Sequence, residues 1–379
     1  MSDLNNPDRN RRGDSQPSSS GAYSLSEILS QPQCWANCLR SLASSPVLKE
    51  IAQSFGQASE WLFVGCGSSY YIGLAAAASW TAITGIRARA VPASELLLFP
   101  ELTLTGSGNC VPVLISRSGR TSEVIQAAQL LQQRKIAAVA ITCTAGQQLE
   151  QLAASTILLA EADERSTVMT RSFTSMLLAL QYLAAVVANK PEMIHALEAL
   201  PVAAEPILRK LPQQVRDFVA QTRIADYVCL GQGPYYGLAC ENGLKLMEMS
   251  SSYAQVFHTL EFRHGPKSIV RPETLIEFLL SETNYDIECD VLEEIKSLGG
   301  TTLVLTNRAD RRAHASADFL LEFGFDLPEF TRLAPFVFIG QLMGLYTGLH
   351  KGLDPDRPRN LSRAVILEGK KDKPHHAGF

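Results

Sequence analysis

The sequence has no long hydrophobic run and no excess of basic residues, and each absence excludes a class of protein. The longest nearly apolar stretch, 175–188, is interrupted by Gln181 and Tyr182 and is too short to cross a bilayer, so we expect a buried helix there. The net charge of −4 provides no broad basic surface for nucleic acid. We therefore expect neither a membrane nor a nucleic-acid partner.

Paired cysteine motifs and an export signal are also missing. The 8 cysteines are scattered without CxxC spacing, as is typical of small buried thiols in a reducing compartment. Cys34 and Cys38 are one helical turn apart, but no second ligand pair with metal spacing accompanies them. The N-terminus lacks a basic region followed by an apolar core. We expect a cytoplasmic protein without a metal ion.

The chain is long enough for two domains, because 379 residues with 46% hydrophobic content can bury two cores. Residues 1–22 are polar and contain few core formers, so they are predicted to be a disordered tail, and residues 369–379 are predicted to be a second tail. Three prolines between Pro201 and Val215 suggest a boundary. We place the domains at 23–205 and 206–368.

Short β-rich runs alternate with helical patterns, which is typical of a parallel sheet with crossover helices. Several of these runs are followed by Gly, Ser or Thr before a helix begins. The clearest predicted strands are Trp61–Val64, Val111–Ile115, Ala137–Thr142, Tyr227–Leu230, Leu275–Leu280 and Thr302–Leu305. The predicted fold class is therefore α/β, with a flavodoxin-like parallel sheet in each domain.

The two halves of the chain repeat one another. The segment Phe63–Ala75, which contains GCGSSYYIGLA, resembles Cys229–Ala239, which contains GQGPYYGLA. The segment Leu131–Thr142 is echoed by Ile295–Thr306 in the same order and at a similar offset. Two copies of one α/β unit is the most economical interpretation.

Two strand-to-helix turns in the first half are rich in hydroxyl groups. Ser116, Ser118 and Thr121 follow one predicted strand, and Gly67, Ser68 and Ser69 follow another. Hydroxyls, a glycine and the first amides of a helix together form an anion site. Helix capping alone explains one such turn, whereas two turns in one domain favour binding of a phosphate. The second half reads Ser281-Glu-Thr-Asn-Tyr285 at the corresponding place, so we expect one phosphate loop per chain.

A charged stripe marks one helix of the second half. Glu241, Lys245 and Glu248 are spaced i, i+4 and i+7 and share one helix face. A solvated face is the ordinary interpretation, but the remaining positions are mostly apolar and leave little of the helix for water. A carboxylate beside a lysine in a cleft has a pKa suited to proton transfer.

A third constellation contains a histidine. His264 precedes Gly-Pro in the segment Glu261–Pro266 and has Arg263 and Lys267 as sequence neighbours. A histidine in this position either anchors a turn or titrates near neutrality beside an anionic substrate.

The order and spacing of these motifs resemble the sugar isomerase (SIS) family over almost all of residues 23–368. In the isomerase half of glucosamine-6-phosphate synthase, the turns matching Ser68 and Ser116 bind the sugar phosphate. The resemblance implies that Glu248 moves a proton between the first two carbons and that Lys245 assists. It further implies that His264 opens the sugar ring from a neighbouring subunit, and hence at least a homodimer.

The sequence departs from that enzyme in ways that affect its function. Residues 1–22 are predicted to be a tail, so we expect no glutaminase domain before the isomerase region. Arg363 stands where the synthase has a lysine, and Met169-Thr-Arg171 replaces Ser-Thr-Lys. The segments Glu164–Thr174 and Phe262–Ser268 look instead like the galactosamine-6-phosphate deaminase/isomerase branch.

The resemblance to the SIS family implies a set of substrate-binding residues, namely Gly67, Ser68, Ser69, Ser116, Arg117, Ser118, Thr121, Thr170, Glu241 and Arg363.

We expect a phosphosugar aldose-ketose isomerase/deaminase that acts on an amino-sugar 6-phosphate without a redox cofactor or metal ion. Two alternatives stay open. One is a synthase-like isomerase that takes ammonia from another protein, and the other is a non-catalytic sugar-phosphate sensor on the same fold. Retention of both Glu248 and His264 favours an enzyme, because a sensor needs only the phosphate loop.

Overall fold

Ten parallel strands form two five-stranded sheets in the computed structural model of the chain, which describes residues 19–104 and 109–367. The first sheet contains β1 (Glu60–Gly65), β2 (Arg87–Pro92), β3 (Cys110–Ile115), β4 (Val139–Thr142) and β5 (Ser155–Leu158). The second contains β6 (Asp226–Gly231), β7 (Ala254–His258), β8 (Thr274–Leu279), β9 (Thr301–Thr306) and β10 (Phe319–Glu322). The predicted α/β class and the two parallel sheets are confirmed.

Both sheets have the same topology. Their strand orders are β2-β1-β3-β4-β5 and, read from the matching end, β7-β6-β8-β9-β10. The six strands predicted from the sequence are the interior strands of these sheets, and the four strands that the sequence did not reveal are all at the edges. The shared order supports the duplication inferred from the repeat.

The helices occupy a central layer and two outer layers. The first half contains α1 (Ala22–Leu29), α2 (Gln31–Ser44), α3 (Val47–Phe55), α4 (Ser68–Thr84), α5 (Ala93–Leu98), α6 (Pro100–Leu104), α7 (Ser122–Gln133), α8 (Gln148–Leu152) and α9 (Arg171–Val187). It is followed by α10 (Pro191–Gln221), α11 (Pro234–Ser250), α12 (Tyr285–Ser297), α13 (Arg311–Ser316) and α14 (Phe338–His350). The buried helix expected at 175–188 corresponds to α9 from residue 175 to its end at Val187, with Ala188 as the C-cap.

Alternating side chains of each sheet face different cores. Trp61 and Phe63 of β1 join a core that runs through the central helices to the second sheet, whereas Leu62 and Val64 face an outer core. The second sheet repeats the pattern, since Cys229 of β6 faces the central layer and its neighbours face a third core. Helices α4 and α9 of the first half therefore pack in one layer with α11 and α14 of the second.

A single long helix, α10, leads from α9 to the first strand of the second sheet. The predicted boundary at 205/206 lies inside α10, which spans 31 residues and contains Pro201, Pro206 and Pro212. Each proline removes one helical N–H donor, but α10 is held by packing against α2, α9 and α14. The division at 205/206 stays a prediction.

The predicted tails fall almost wholly outside the described residues, apart from residues 19–22. Within the part of the chain that the structure describes, no helix combines the length and apolarity needed to cross a bilayer.

Candidate functional site

The hydroxyl-rich turns of the first half lie side by side. Strands β1 and β3 are neighbours in a parallel sheet, so the turns that follow them meet at the same edge. Gly67 precedes α4 with φ 54° and ψ −128°, a conformation that favours glycine, and Ser68 and Ser69 form the first turn of α4. Both serines are buried.

The loop after β3 is held in shape by its own hydroxyls. Gly119 N donates to Ser116 Oγ at 3.1 Å, and Arg120 N donates to Ser118 Oγ at 3.3 Å. Gly119 has φ 62°, which explains the glycine at this point. Thr121 lies at the N-terminus of α7, with its hydroxyl 3.3 Å from that of Ser116. The turns thus direct hydroxyls and the positive ends of α4 and α7 into one space.

Arg117 is directed away from this space, into the protein. Its side chain is 4% exposed and its guanidinium donates to Glu164 at 3.1 Å. It also donates to the carbonyls of Thr167 and Arg363, at 2.8 and 3.0 Å. Arg117 therefore ties the anion loop to a neighbouring loop and to the C-terminal segment.

Glu164 organises that neighbouring loop. Its carboxylate accepts from Thr170 N at 2.6 Å and from the Thr170 hydroxyl at 2.7 Å, and it also accepts from the Ser172 hydroxyl. Thr170 is fully buried and precedes α9. The Glu164 carboxylate thus satisfies the first donors of α9 and the Arg117 charge together.

The predicted charged stripe is one continuous cluster on α11. The Lys245 ammonium lies 3.1 Å from Glu241 Oε1 and donates to Glu248. It also lies 3.4 Å from Ser68 Oγ, at the start of α4 in the other half. Lys245 and Glu241 are fully buried, whereas the Glu248 side chain is 19% exposed. Lys245 thus joins the first anion turn to both carboxylates.

Burial sets the protonation of this cluster. It raises the pKa of Glu241 to about 7, against the opposing effect of the Lys245 ammonium. Burial lowers the pKa of Lys245, but the carboxylates of Glu241 and Glu248 outweigh burial, and the net change is upward. Lys245 is therefore cationic at neutral pH, and Glu241 exchanges its proton near neutrality.

A buried polar contact fixes α11 from behind. Asn242 Nδ2 donates to Glu277 Oε1 at 3.0 Å and to Phe336 O at 3.3 Å. Gly340 of α14 leaves room for this amide, since a Cβ there would come within 2.3 Å of Asn242. Burial raises the pKa of Glu277 to about 7. Sequence reasoning missed this pair, although a lone glutamate in an otherwise apolar strand was a usable signal.

The C-terminal segment, residues 352–367, covers the site. At one end it closes a cavity of about 190 Å³ that Glu248 lines together with Asp354, Arg357 and Arg359. At the other end Val365 O accepts from Ser122 N at 3.1 Å, at the start of α7. Arg363 is partly exposed and pairs with Asp163. The segment therefore touches both the carboxylate cluster and the anion loop.

His264 lies apart from these contacts. It is exposed in the loop after β7, at one edge of the second sheet. Its neighbours Arg263 and Lys267 share a single acidic partner, Glu294, so one net positive charge is left beside His264. No group of three or more metal-ligating side chains occurs in the described part of the chain.

Comparison with known proteins gives a family match in the first half. Residues 54–186 match the SIS domain model. The glutamine–fructose-6-phosphate aminotransferases of Pyrobaculum aerophilum and Vibrio cholerae are each 26% identical over 91% of this chain. The chain spans 58% and 59% of the length of these two relatives.

Solved structures share the whole fold. The tagatose-6-phosphate ketose/aldose isomerase of Escherichia coli superposes with a TM-score of 0.80 at 23% identity, covering 94% of this chain and 100% of its own. The glucosamine-6-phosphate deaminase of Thermotoga maritima has a TM-score of 0.72 at 25% identity, covering 91% and 100%. The resemblance drawn from the sequence motifs is confirmed.

Proposed function

Because the chain contains a SIS domain, we propose that it is a phosphosugar aldose-ketose isomerase that acts on an amino-sugar 6-phosphate and releases ammonia. One observation carries the proposal. The buried Lys245 ammonium contacts Ser68 of the anion turn and both carboxylates of α11, so groups for phosphate binding and for proton transfer converge. The names of the solved relatives, an isomerase and a deaminase, support the reaction class.

In this proposal the phosphate is bound by the two turns of the first half. The donors are the hydroxyls and helix-terminal amides of Ser68, Ser69, Ser116, Ser118 and Thr121. Arg117 and Thr170 have their donors directed to protein partners, so we assign them to positioning the loop. Arg363 lies on the covering segment and would contact substrate only after leaving Asp163.

Ring opening comes first, because only the open sugar exposes an acidic C2 proton. An exposed His264 is suited to reach a site in a second subunit, and we propose that the active form is at least a dimer in which His264 moves the ring proton.

The 8 free cysteines agree with the proposed cytoplasmic location.

Glu248 then performs the central proton transfer. Its carboxylate removes the C2 proton of the open aldose and returns it to C1, so that a ketose or its imine forms. Lys245 holds Glu248 and stabilises negative charge on the sugar oxygen during the transfer. Glu241 balances the Lys245 charge.

With an amino group on C2 the proton transfer yields an imine. Water adds across the C=N bond, the nitrogen takes up a proton, and ammonia leaves as the C2 carbonyl forms. The overall change is therefore amino sugar plus water to ketose plus ammonia, with no net oxidation.

Incubation of the purified protein with glucosamine, galactosamine and fructosamine 6-phosphates tests the proposal directly. Ammonia release together with ketose formation is the expected result. A parallel incubation with a ketose 6-phosphate and added ammonia, in which ammonia is consumed, water is released and an amino-sugar phosphate forms, would identify the synthase-like alternative. Binding of a sugar phosphate without turnover of any substrate would identify the sensor.

Replacement of the proposed base tests its role. Glu248→Gln should reduce kcat by about 10²-fold or more while leaving phosphate binding intact, because the isosteric amide cannot accept the C2 proton. Exchange of the C2 proton with solvent deuterium, followed by proton NMR, gives the same information without the ammonia step. The matched control is Glu192→Gln, an exposed glutamate in the first turn of α10. Near-normal exchange in Glu248→Gln would exclude Glu248 as the base.

A further inference from the structure

The second half keeps the backbone of the turn before α4 and the strand exit of the other anion turn, although no residue of 281–284 has the positive φ of Gly119. Ser116 N donates to Ile141 O as the chain leaves β3, and Leu280 N donates to Leu305 O as it leaves β8. Gly233 precedes α11 with φ 54° and ψ −127°, almost the same values as Gly67 before α4. The loop 281–284 and the first turn of α11 therefore correspond to the two turns that surround the proposed phosphate.

A carboxylate lies between these two turns. Glu329 Oε1 accepts from Glu282 N at 2.6 Å and from the Tyr235 hydroxyl at 3.2 Å, and Oε2 accepts from the Thr283 hydroxyl. Glu329 comes from the loop after β10, so its contacts with the loop after β8 join separate parts of the domain. One amide and two hydroxyls around two oxygens are the donors that an oxyanion requires.

The first half has no carboxylate in the matching position. Among the described residues, no acidic side chain is hydrogen bonded to Ser69, Ser116 or Ser118, whereas Ser68 contacts the Lys245–Glu241 pair of α11. These serines are buried, so the halves differ in that a carboxylate occupies this position in the second half and none does in the first.

We propose that the second domain contains an oxyanion site for a phosphate or carboxylate group, and that Glu329 is its tethered ligand. The inference rests on the proposed function only where it takes the turns of the first half as a phosphate site. Its consequence is that the wild-type chain binds one phosphate, and that removal of the Glu329 carboxylate exposes a second site.

The surrounding charges permit an external anion to replace Glu329. Glu282 is paired with Arg332, whose guanidinium also donates to Leu327 O at 2.6 Å. Glu288 accepts from Ser281 N at 2.7 Å and Ser281 Oγ at 2.9 Å, and burial raises the pKa of Glu288 to about 7. Substitution of Glu329 by a neutral residue therefore removes one negative charge while the donors of residues 282 and 283 stay in place.

The experiment measures inorganic phosphate and acetate binding to Glu329→Ala. We expect a lowered thermal midpoint that either anion restores, and two bound phosphates per chain instead of one by calorimetric titration. Ser118→Ala removes one donor of the proposed phosphate site in the first half. The double variant Ser118→Ala/Glu329→Ala should still bind phosphate at the second site. The control is Glu322→Ala, which removes an exposed glutamate of β10. It should show neither a second bound phosphate nor a rise of the thermal midpoint on addition of an anion.

A folded Glu329→Ala protein that gains no phosphate and no stability from acetate, compared with Glu322→Ala, would overturn the proposal. If Glu329→Ala does not fold alone, refolding with and without acetate decides. Recovery only in the presence of the anion supports the tethered-ligand role, and equal failure contradicts it. Absence of phosphate binding to the wild-type chain would instead count against the proposed function, since the gain in Glu329→Ala is measured separately.

Discussion

The two halves of the chain share a backbone and differ in the chemistry of equivalent positions. In the first half the turns after β1 and β3 present serines, whereas in the second half the matching turns hold the Glu329 carboxylate. The cores differ as well. Glu277 of β8 is equivalent to Val113 of β3. Its partner Asn242 on α11 is equivalent to Ala76 on α4. The two copies of the fold thus differ at equivalent positions, with serine hydroxyls in the turns of the first half and carboxyl groups in the turns and core of the second.

The largest predicted difference between the halves concerns their loop ion pairs. Arg117 and Glu164 are buried, whereas Glu282, the partner of Arg332, is 56% exposed. Glu164→Gln should cost about 3–5 kcal/mol of unfolding free energy, because it leaves the Arg117 charge buried without compensation. Arg332 is itself only 3% exposed, but it keeps its hydrogen bonds to Phe325 O and Leu327 O and water reaches the position of Glu282, so Glu282→Gln should cost less than Glu164→Gln. Urea unfolding followed by circular dichroism measures both, and equal losses would mean that the two pairs are energetically equivalent.

The second difference is a pH dependence that Glu277 gives to the second core and that Val113, at the equivalent position of β3, cannot give to the first. Glu277 keeps its proton in the folded chain up to about pH 7 because it is buried, whereas its ordinary pKa is 4.5. The folded state therefore binds more protons between these values, and Glu277 lowers stability by roughly 3 kcal/mol as pH rises through this range.

Glu277→Gln should remove this contribution to the fall of the unfolding free energy with rising pH. Relative to the wild type, the variant should therefore be more stable at pH 8 than at pH 5. Thermal unfolding at the two pH values measures the gain. Glu273→Gln, just before β8, is the matched control and should leave the slope unchanged. A wild-type slope in Glu277→Gln would show that this carboxyl is ionised in the folded chain.

The smallest predicted effect tests what the halves still share. Gly67 and Gly233 have nearly the same φ and ψ and no atom within 4 Å of a built Cβ, so an alanine at either position meets backbone strain alone. Gly67→Ala and Gly233→Ala should each cost about 1–3 kcal/mol and should agree with one another. Only Gly67→Ala should also raise the KM for the sugar phosphate. Clearly unequal losses of stability would argue against equivalent turns.

The sequence predicted the interior of both sheets and missed their edges for a physical reason. Interior strands such as β1 and β8 are buried along their whole length and show as apolar runs. Edge strands such as β2 and β10 are partly exposed and carry mixed residues, so the same signal is absent. The three prolines on which the predicted boundary rests lie inside α10, where tertiary packing maintains a helix that local propensity disfavours.

The contacts of the candidate site were also only partly predictable from the sequence. The contact of Lys245 with Glu241 and Glu248 follows from helical spacing and was predictable. The contacts of Arg117 with Glu164 and of Thr283 with Glu329 join residues that are 47 and 46 positions apart. Such pairs depend on how loops from different strands meet, and no local pattern in a single sequence specifies them.

The helix between the sheets has a consequence for how the enzyme would move. At 31 residues, α10 is roughly 46 Å long, and it packs on helices of both halves rather than running free as a linker. Helix α1 is also fastened to the C-terminal segment, since Asp356 accepts from Ser24 N at 2.7 Å. These contacts oppose a hinge between the halves, so we expect any opening around the proposed substrate to involve surface loops and the C-terminal segment.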